Sequence, residues 1–121
     1  MLRMLAFLVK QPHLTTDEFI DYYENKHIPL IIALSGDTLP SPYKRRYLRK
    51  DADSVSGAAG APGVDFDAVT ELAFADAEAR AAWFAQLSRN GGLARVAEDE
   101  ERFLVRERTV AYVVEEHSTG V

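Results

Sequence analysis

His27 is the side chain of this sequence best suited to proton chemistry. An imidazole has an unperturbed pKa of about 6.5, so both protonation states are within reach near neutral pH. Phe19, Tyr23, His27, Leu30, Ile31 and Leu34 recur at helical spacing and share one face. That face carries large apolar side chains, so it turns inward and takes His27 with it. Pro29 has no N–H to bond the carbonyl of Asn25, and the helix should end or kink there. An inward imidazole, a phenol one turn earlier and a free carbonyl would then meet at one helix end, a start for a small-molecule site. The competing reading is an imidazole packed in the core and bonded to a backbone carbonyl.

Glu71 lies in an otherwise apolar strand. Burying a carboxylate is costly unless it is paired or protonated. It would orient His27, accept the guanidinium of Arg46 or Arg45, or form an ion pair at a subunit interface. Its parity is opposite to the Phe66, Leu72 and Phe74 side expected to meet the helices, which favours the last two. Tyr22, Tyr23, Tyr43, Tyr47 and Tyr112 offer phenols for a carbonyl or enolate oxygen, or are ordinary packing. Trp83 and Phe7 belong to the core or line a pocket for a flat substrate. His13 and His117 fall in a loop and a tail, and no metal-type spacing is visible. Gly57, Gly60 and Gly63 do not follow a strand and open a helix, and no G-x-S-x-G elbow appears, so neither a nucleotide site nor that type of nucleophile is expected.

These residues need a scaffold, and 121 residues with 47% apolar content suffice for one domain, 1–121, with a real core. No apolar run approaches the length of a membrane span. The opening MLRMLAFLVK has no small-residue cleavage site and runs into a helix cap, so it reads as a strand rather than a signal peptide. The absence of cysteine excludes disulfides, thiolate chemistry and Cys-based zinc sites, and fits the cytoplasm. A net charge of −5 opposes binding to nucleic acid or anionic membrane. Lys44, Arg45, Arg46, Arg49 and Lys50 run against that trend, as a site for an acidic substrate or as a charged strand edge.

Leu2–Val9 reads as a buried strand ended by Pro12. Thr15 and Glu18 form a capping box for a helix over Thr16–Ile28. Leu30–Leu34 resumes for a further turn or two before Ser35-Gly36. Tyr43–Lys50 is a second strand, Asp51–Gly63 a long loop that gates a site or tips a hairpin, and Phe66–Phe74 a third strand. Asp76 caps a helix over Ala77–Leu87, an acidic helical piece falls within Leu93–Phe103, and Thr109–Val114 is the last strand. The order βαββαβ predicts an α+β, ferredoxin-like fold: a four-stranded antiparallel sheet with both helices on one face. The first and last strands are apolar on both parities. Helices cover one face, so a second copy should cover the other, giving a homodimer with sheets face to face.

Motifs along most of the chain add a resemblance. Lys10, Pro12, Leu14, Glu18-Phe19, Tyr22-Tyr23 and Lys26-His27-Ile28-Pro29-Leu30 resemble the opening of the EthD-like family of the dimeric α+β barrel superfamily. Arg45-Arg46-Tyr47, Asp67–Leu72 with Phe74 and Asp76, Asp99-Glu100 with Arg102-Phe103, and Val113–His117 resemble its later segments in order. Lys26 stands where many members have a second histidine, Ala73 where an aromatic is common, and Asp51–Gly63 is long for the family.

The resemblance implies proteins of polyketide and aromatic metabolism that work without cofactor as cyclases, dehydratases, decarboxylases or oxygenases, or companions of degradative oxidations. The expected function is therefore a cofactor-independent lyase or cyclase of secondary metabolism acting on an aromatic or polyketide-like carbonyl compound. His27 would move the proton, Tyr47 or Tyr23 would stabilise the oxyanion, and Glu71 would assist. Tyr47 takes its place from the matching R-R-Y strand. Phe7, Tyr22, Tyr23, Tyr43, Arg46 and Trp83 would bind substrate, with Arg46 holding a substrate acid. The alternatives are a cofactor-free oxygenase of phenols or anthrones and a non-catalytic accessory protein.

Overall fold

The computed structural model describes residues 1–50 and 62–120, so most of the loop expected over Asp51–Gly63 lies outside the described residues. Strand β1 spans Leu2–Leu8, and helix α1 spans Thr16–Tyr22. Thr15 opens that helix with the expected capping box: its hydroxyl accepts from the Glu18 amide at 3.1 Å and its own amide donates to the Glu18 carboxylate at 2.9 Å.

Of the two outcomes expected at Pro29, an end or a kink, the helix does not end there, and helical turns resume beyond it as expected. Tyr23–His27 winds as a π turn and α2 follows directly over Ile28–Ser35. The Ile28 amide bonds the Tyr23 carbonyl, one residue further back than in an α-helix. A proline ring clashes with the carbonyl four residues earlier in a tight α turn, and a wider turn relieves the clash without ending the helix. Phe19, Tyr23, His27 and Ile31 are buried on one face as expected. Leu30 instead turns to a groove on the outer side.

Strands β2 (Tyr43–Tyr47) and β3 (Ala68–Phe74) come next. Helix α3 (Ala77–Leu87) is capped by Asp76, whose carboxylate accepts from the Ala79 amide at 2.8 Å. Helix α4 (Gly92–Glu100) and strand β4 (Val110–Val113) complete the order. Among the described residues four strands lie in the order β2-β3-β1-β4, and every neighbouring pair is antiparallel. This is the predicted ferredoxin-like sheet with its helices on one side.

Strand parity assigns the faces. Leu2, Met4, Ala6 and Leu8 of β1, with Ala68, Leu72 and Phe74 of β3, pack against the helices. The opposite parity carries Leu5 and Phe7, with Val69, Glu71 and Tyr112 on the neighbouring strands. Among the described residues no helix covers that open face, and Tyr112 is 57% exposed. Phe66, expected to meet the helices, packs on Phe7 at the open face with ring centroids 5.0 Å apart. Bends at Asp65 and Asp67 precede the start of β3, so the strand's parity does not extend back to Phe66. Among the described residues no helix is long and apolar enough to cross a membrane.

Candidate functional site

The π turn places His27 beneath the sheet, 3% exposed, with its ring 4.8 Å from Phe103 and 5.7 Å from Tyr23. Its Nδ1 lies 2.8 Å from Asp99 Oδ2 near the end of α4. A carboxylate only accepts, so Nδ1 carries the proton of the neutral ring and Nε2 is left with a lone pair. Among the described residues Nε2 has no hydrogen-bond partner, and no fully buried side-chain nitrogen or oxygen is unsatisfied. Nε2 is therefore not sealed in the core but opens onto the space beside it.

That space is a cavity of about 500 Å³ between sheet and helices. Its volume is typical of small-molecule sites, which lie at about 300–1,000 Å³. Its walls are mainly apolar, with Ile31, Leu72, Trp83 and Leu87 among them. Polar groups converge at the His27 end. The Tyr23 hydroxyl and Thr70 Oγ1 are 2.8 Å apart, and Tyr43 also lines the cavity. Burial pushes the Tyr23 phenol up to about 12 despite its bond to Thr70. Burial, reinforced by the neighbouring Tyr23, pushes Tyr43 well above the ordinary phenol range. Both phenols thus stay protonated and can donate a hydrogen bond at any physiological pH.

Of the residues singled out in the sequence, His27, Tyr23, Tyr43 and Trp83 come together in this cavity. The others do not. Tyr47 shares the helix-facing side of β2, but its hydroxyl donates to Glu24, which also receives Arg45 through two bonds of 2.9 and 2.6 Å. Burial and the Glu24 carboxylate raise the Tyr47 phenol far above its ordinary value. Glu71 lies on the open face, with a salt bridge to Arg3 and another to Arg46 at 3.0 Å. Burial pushes its carboxyl up, but the hydrogen bonds from Arg46 and Arg3 prevail and hold it below the usual range. Arg46 and Phe7 share that face, with the sheet between them and His27.

Tyr22 sits behind the site, its hydroxyl donating to Asp99 Oδ1 at 2.6 Å. Asp99 thus bridges the cavity-facing imidazole and a groove of about 330 Å³ lined by Tyr22, Lys26, Leu30 and Arg102. Lys44, Arg45 and Arg46 lie on the edge strand β2 and Arg49 and Lys50 just beyond it; Arg45, Arg46, Arg49 and Lys50 pair with Glu24, Glu71, Asp17 and Asp67.

Local spacing assigns no role to Asp99, Thr70, Glu100 or Arg106, although the last three also line the cavity. Asp99 and Glu100 stood within a matched motif, but an acidic run from Glu98 to Glu101 on a solvated helix hides which carboxylate turns inward. Among the described residues no group of three or more His, Asp or Glu is disposed to hold a metal ion.

A strand order of β2-β3-β1-β4 with a cavity between sheet and helices defines an α+β protein of the ferredoxin-like class. The EthD domain model matches residues 11–107, and the chain belongs to that family. The fold is similar to the crystal structure of an ethyl tert-butyl ether D (EthD) family protein from Bacillus halodurans C-125. The TM-score is 0.59 at 21% identity, covering 97% of this chain and 100% of the other. It is also similar to HapK from Hahella chejuensis, with a TM-score of 0.56 at 17% identity, covering 100% and 97% of the two chains. No curated protein matches the sequence.

Proposed function

We propose that this protein is a cofactor-independent enzyme that moves protons on an aromatic or polyketide-like carbonyl compound, in an aldol-type cyclisation, dehydration or decarboxylation. One observation carries the reading: a buried histidine, fixed at Nδ1 by Asp99 at 2.8 Å, lines an apolar cavity with its other nitrogen unpartnered among the described residues. In the enolisation step Nε2 takes a proton from the carbon next to the substrate carbonyl. The electron pair of that C–H bond moves to the carbonyl oxygen, giving an enolate. The Tyr43 or Tyr23 hydroxyl donates to this oxygen, as a preorganised donor in a mainly apolar cavity. In a cyclisation the enolate carbon attacks a second carbonyl of the substrate, whose π pair moves to its oxygen, and that alkoxide takes the proton back from the imidazolium. In a dehydration the enolate expels a β-hydroxyl by breaking its C–O bond, and the hydroxyl takes the imidazolium proton and leaves as water. In a decarboxylation the bond to the carboxylate breaks instead of C–H, CO2 leaves, the electron pair forms the same enolate, and a protonated His27 delivers its proton to the carbon. Asp99 is a positioning residue here: it fixes the tautomer and balances the imidazolium charge.

The same reading includes a homodimer. The face of the sheet that the described residues leave uncovered carries Leu5, Phe7, Phe66, Val69 and Tyr112, and a second copy of that face would shield it.

The test is proton exchange with 2-acetylnaphthalene in D2O, followed by NMR. Wild-type protein should speed deuteration of the methyl group, and His27→Ala should remove the acceleration. Equal rates for the two proteins would discard the mechanism. An oxygen electrode run with a phenolic substrate separates this reading from an oxygenase, since a lyase or cyclase consumes no oxygen.

A further inference from the structure

The cavity is polar at two ends, and the mechanism above uses one. His27 marks the closed end, at 3% exposure. Arg106 lines the same cavity with its side chain 47% exposed, so it stands at the mouth. It precedes β4 in a short helical turn over Arg106–Arg108. Its Nε donates to Glu100 Oε1 at 3.2 Å, and Glu100 also lines the cavity. Among the described residues neither Nη group has a hydrogen-bond partner. The guanidinium is thus held along its Nε edge, with its two outer nitrogens unused.

We infer that Arg106 anchors an anionic oxygen group of the substrate, a carboxylate above all, at the mouth of the cavity while the carbonyl-bearing part lies against His27. A planar guanidinium matches a carboxylate bidentately, and one held by a neighbour gives up less freedom on binding. Arg46, the cation that the sequence offered for this role, is on the other face of the sheet and bound to Glu71. Arg45 is likewise committed, to Glu24. The Glu100 carboxylate offsets part of the Arg106 charge, so the preference arises from directed hydrogen bonds rather than from a broad positive field. The substrate class is then a flat aromatic ketone bearing a carboxylate at its far end. This inference rests on the cavity being the substrate site.

The chain has a single tryptophan, Trp83, and it lines the cavity, so its fluorescence reports occupancy. The probes are 6-acetyl-2-naphthoate and its methyl ester, alike in shape but not in charge. Wild-type protein should bind the acid about tenfold tighter than the ester. Arg106→Gln should bind both alike while its affinity for the ester is unchanged, which also shows that the variant is folded. Acid and ester binding equally to wild type, or a preference that survives in R106Q, would overturn the anchor while leaving the proposed chemistry intact. Quenching by neither probe would overturn both. An acid preference without deuteration of the acetyl group would uphold the anchor and remove the enzymatic reading.

Discussion

A histidine can be a base only if its lone pair faces a reactant, and Asp99 settles that orientation for His27 at 2.8 Å. Asp99→Asn preserves size but lets its amide donate to Nδ1, which favours the wrong tautomer. We expect kcat for the exchange reaction to fall by about 10²-fold or more with KM little changed. A merely structural role would instead lower the melting temperature and leave the turnover of the folded fraction intact. Tyr23 gives a second prediction. Burial raises its pKa from 10.0 to about 12, so the folded state holds that proton more tightly than the unfolded chain. The stability it contributes is present below pH 10 and is lost as pH rises toward 12. Tyr23→Phe should cost about 1 kcal/mol at pH 7 through loss of the Thr70 bond, and should flatten the alkaline loss. Urea unfolding at pH 7 and at alkaline pH measures both.

At the scale of the element, helix α4 matters most, because it supplies both Asp99 and Glu100. Its start is set by one glycine. A Cβ built on Gly92 would lie 2.0 Å from the Leu87 carbonyl oxygen at the end of α3. Backbone cannot give way as a flexible side chain can, so Gly92→Ala should shift α4 and cost on the order of 2–3 kcal/mol. A fall in melting temperature of roughly 10 °C is the expected reading. The π turn acts in the opposite sense. It lets the chain pass Pro29 without ending, so α2 continues and keeps Ile31 in line with His27 along the cavity wall.

At the scale of the molecule, the described residues leave the sheet half covered. Phe7 contacts both Phe66 and Tyr112 on the open face, with ring centroids 5.0 and 6.2 Å apart. Arg3, Glu71 and Arg46 form an ion network beside them. If the sheets pair, solution scattering should give twice the 13.5 kDa mass of one chain. Tyr112→Arg should then yield a monomer by placing a charge within the apolar contact. A wild-type mass of one chain would exclude the pairing.

Local chemistry and periodicity were enough for the scaffold. The Thr15 capping box, the Asp76 cap, the helical stripe from Phe19 to Ile31 and the order of strands depend on residues close in sequence, and the structure follows them. The same stripe pointed His27 inward, and strand parity set Glu71 apart from the helices. At Pro29 spacing gives an end or a kink with further turns beyond; the turns are there, but the π turn that carries the chain past the proline is an answer spacing alone does not offer. Tyr47 had the parity for the site and was captured by Glu24, a partner 23 positions away. Asp99 lies 72 positions from His27, and Arg106 reaches the cavity from the turn before β4. Which carboxylate backs the imidazole, and which cation stands at the mouth, are decided by packing between elements distant along the chain. No spacing rule within one element could have named them.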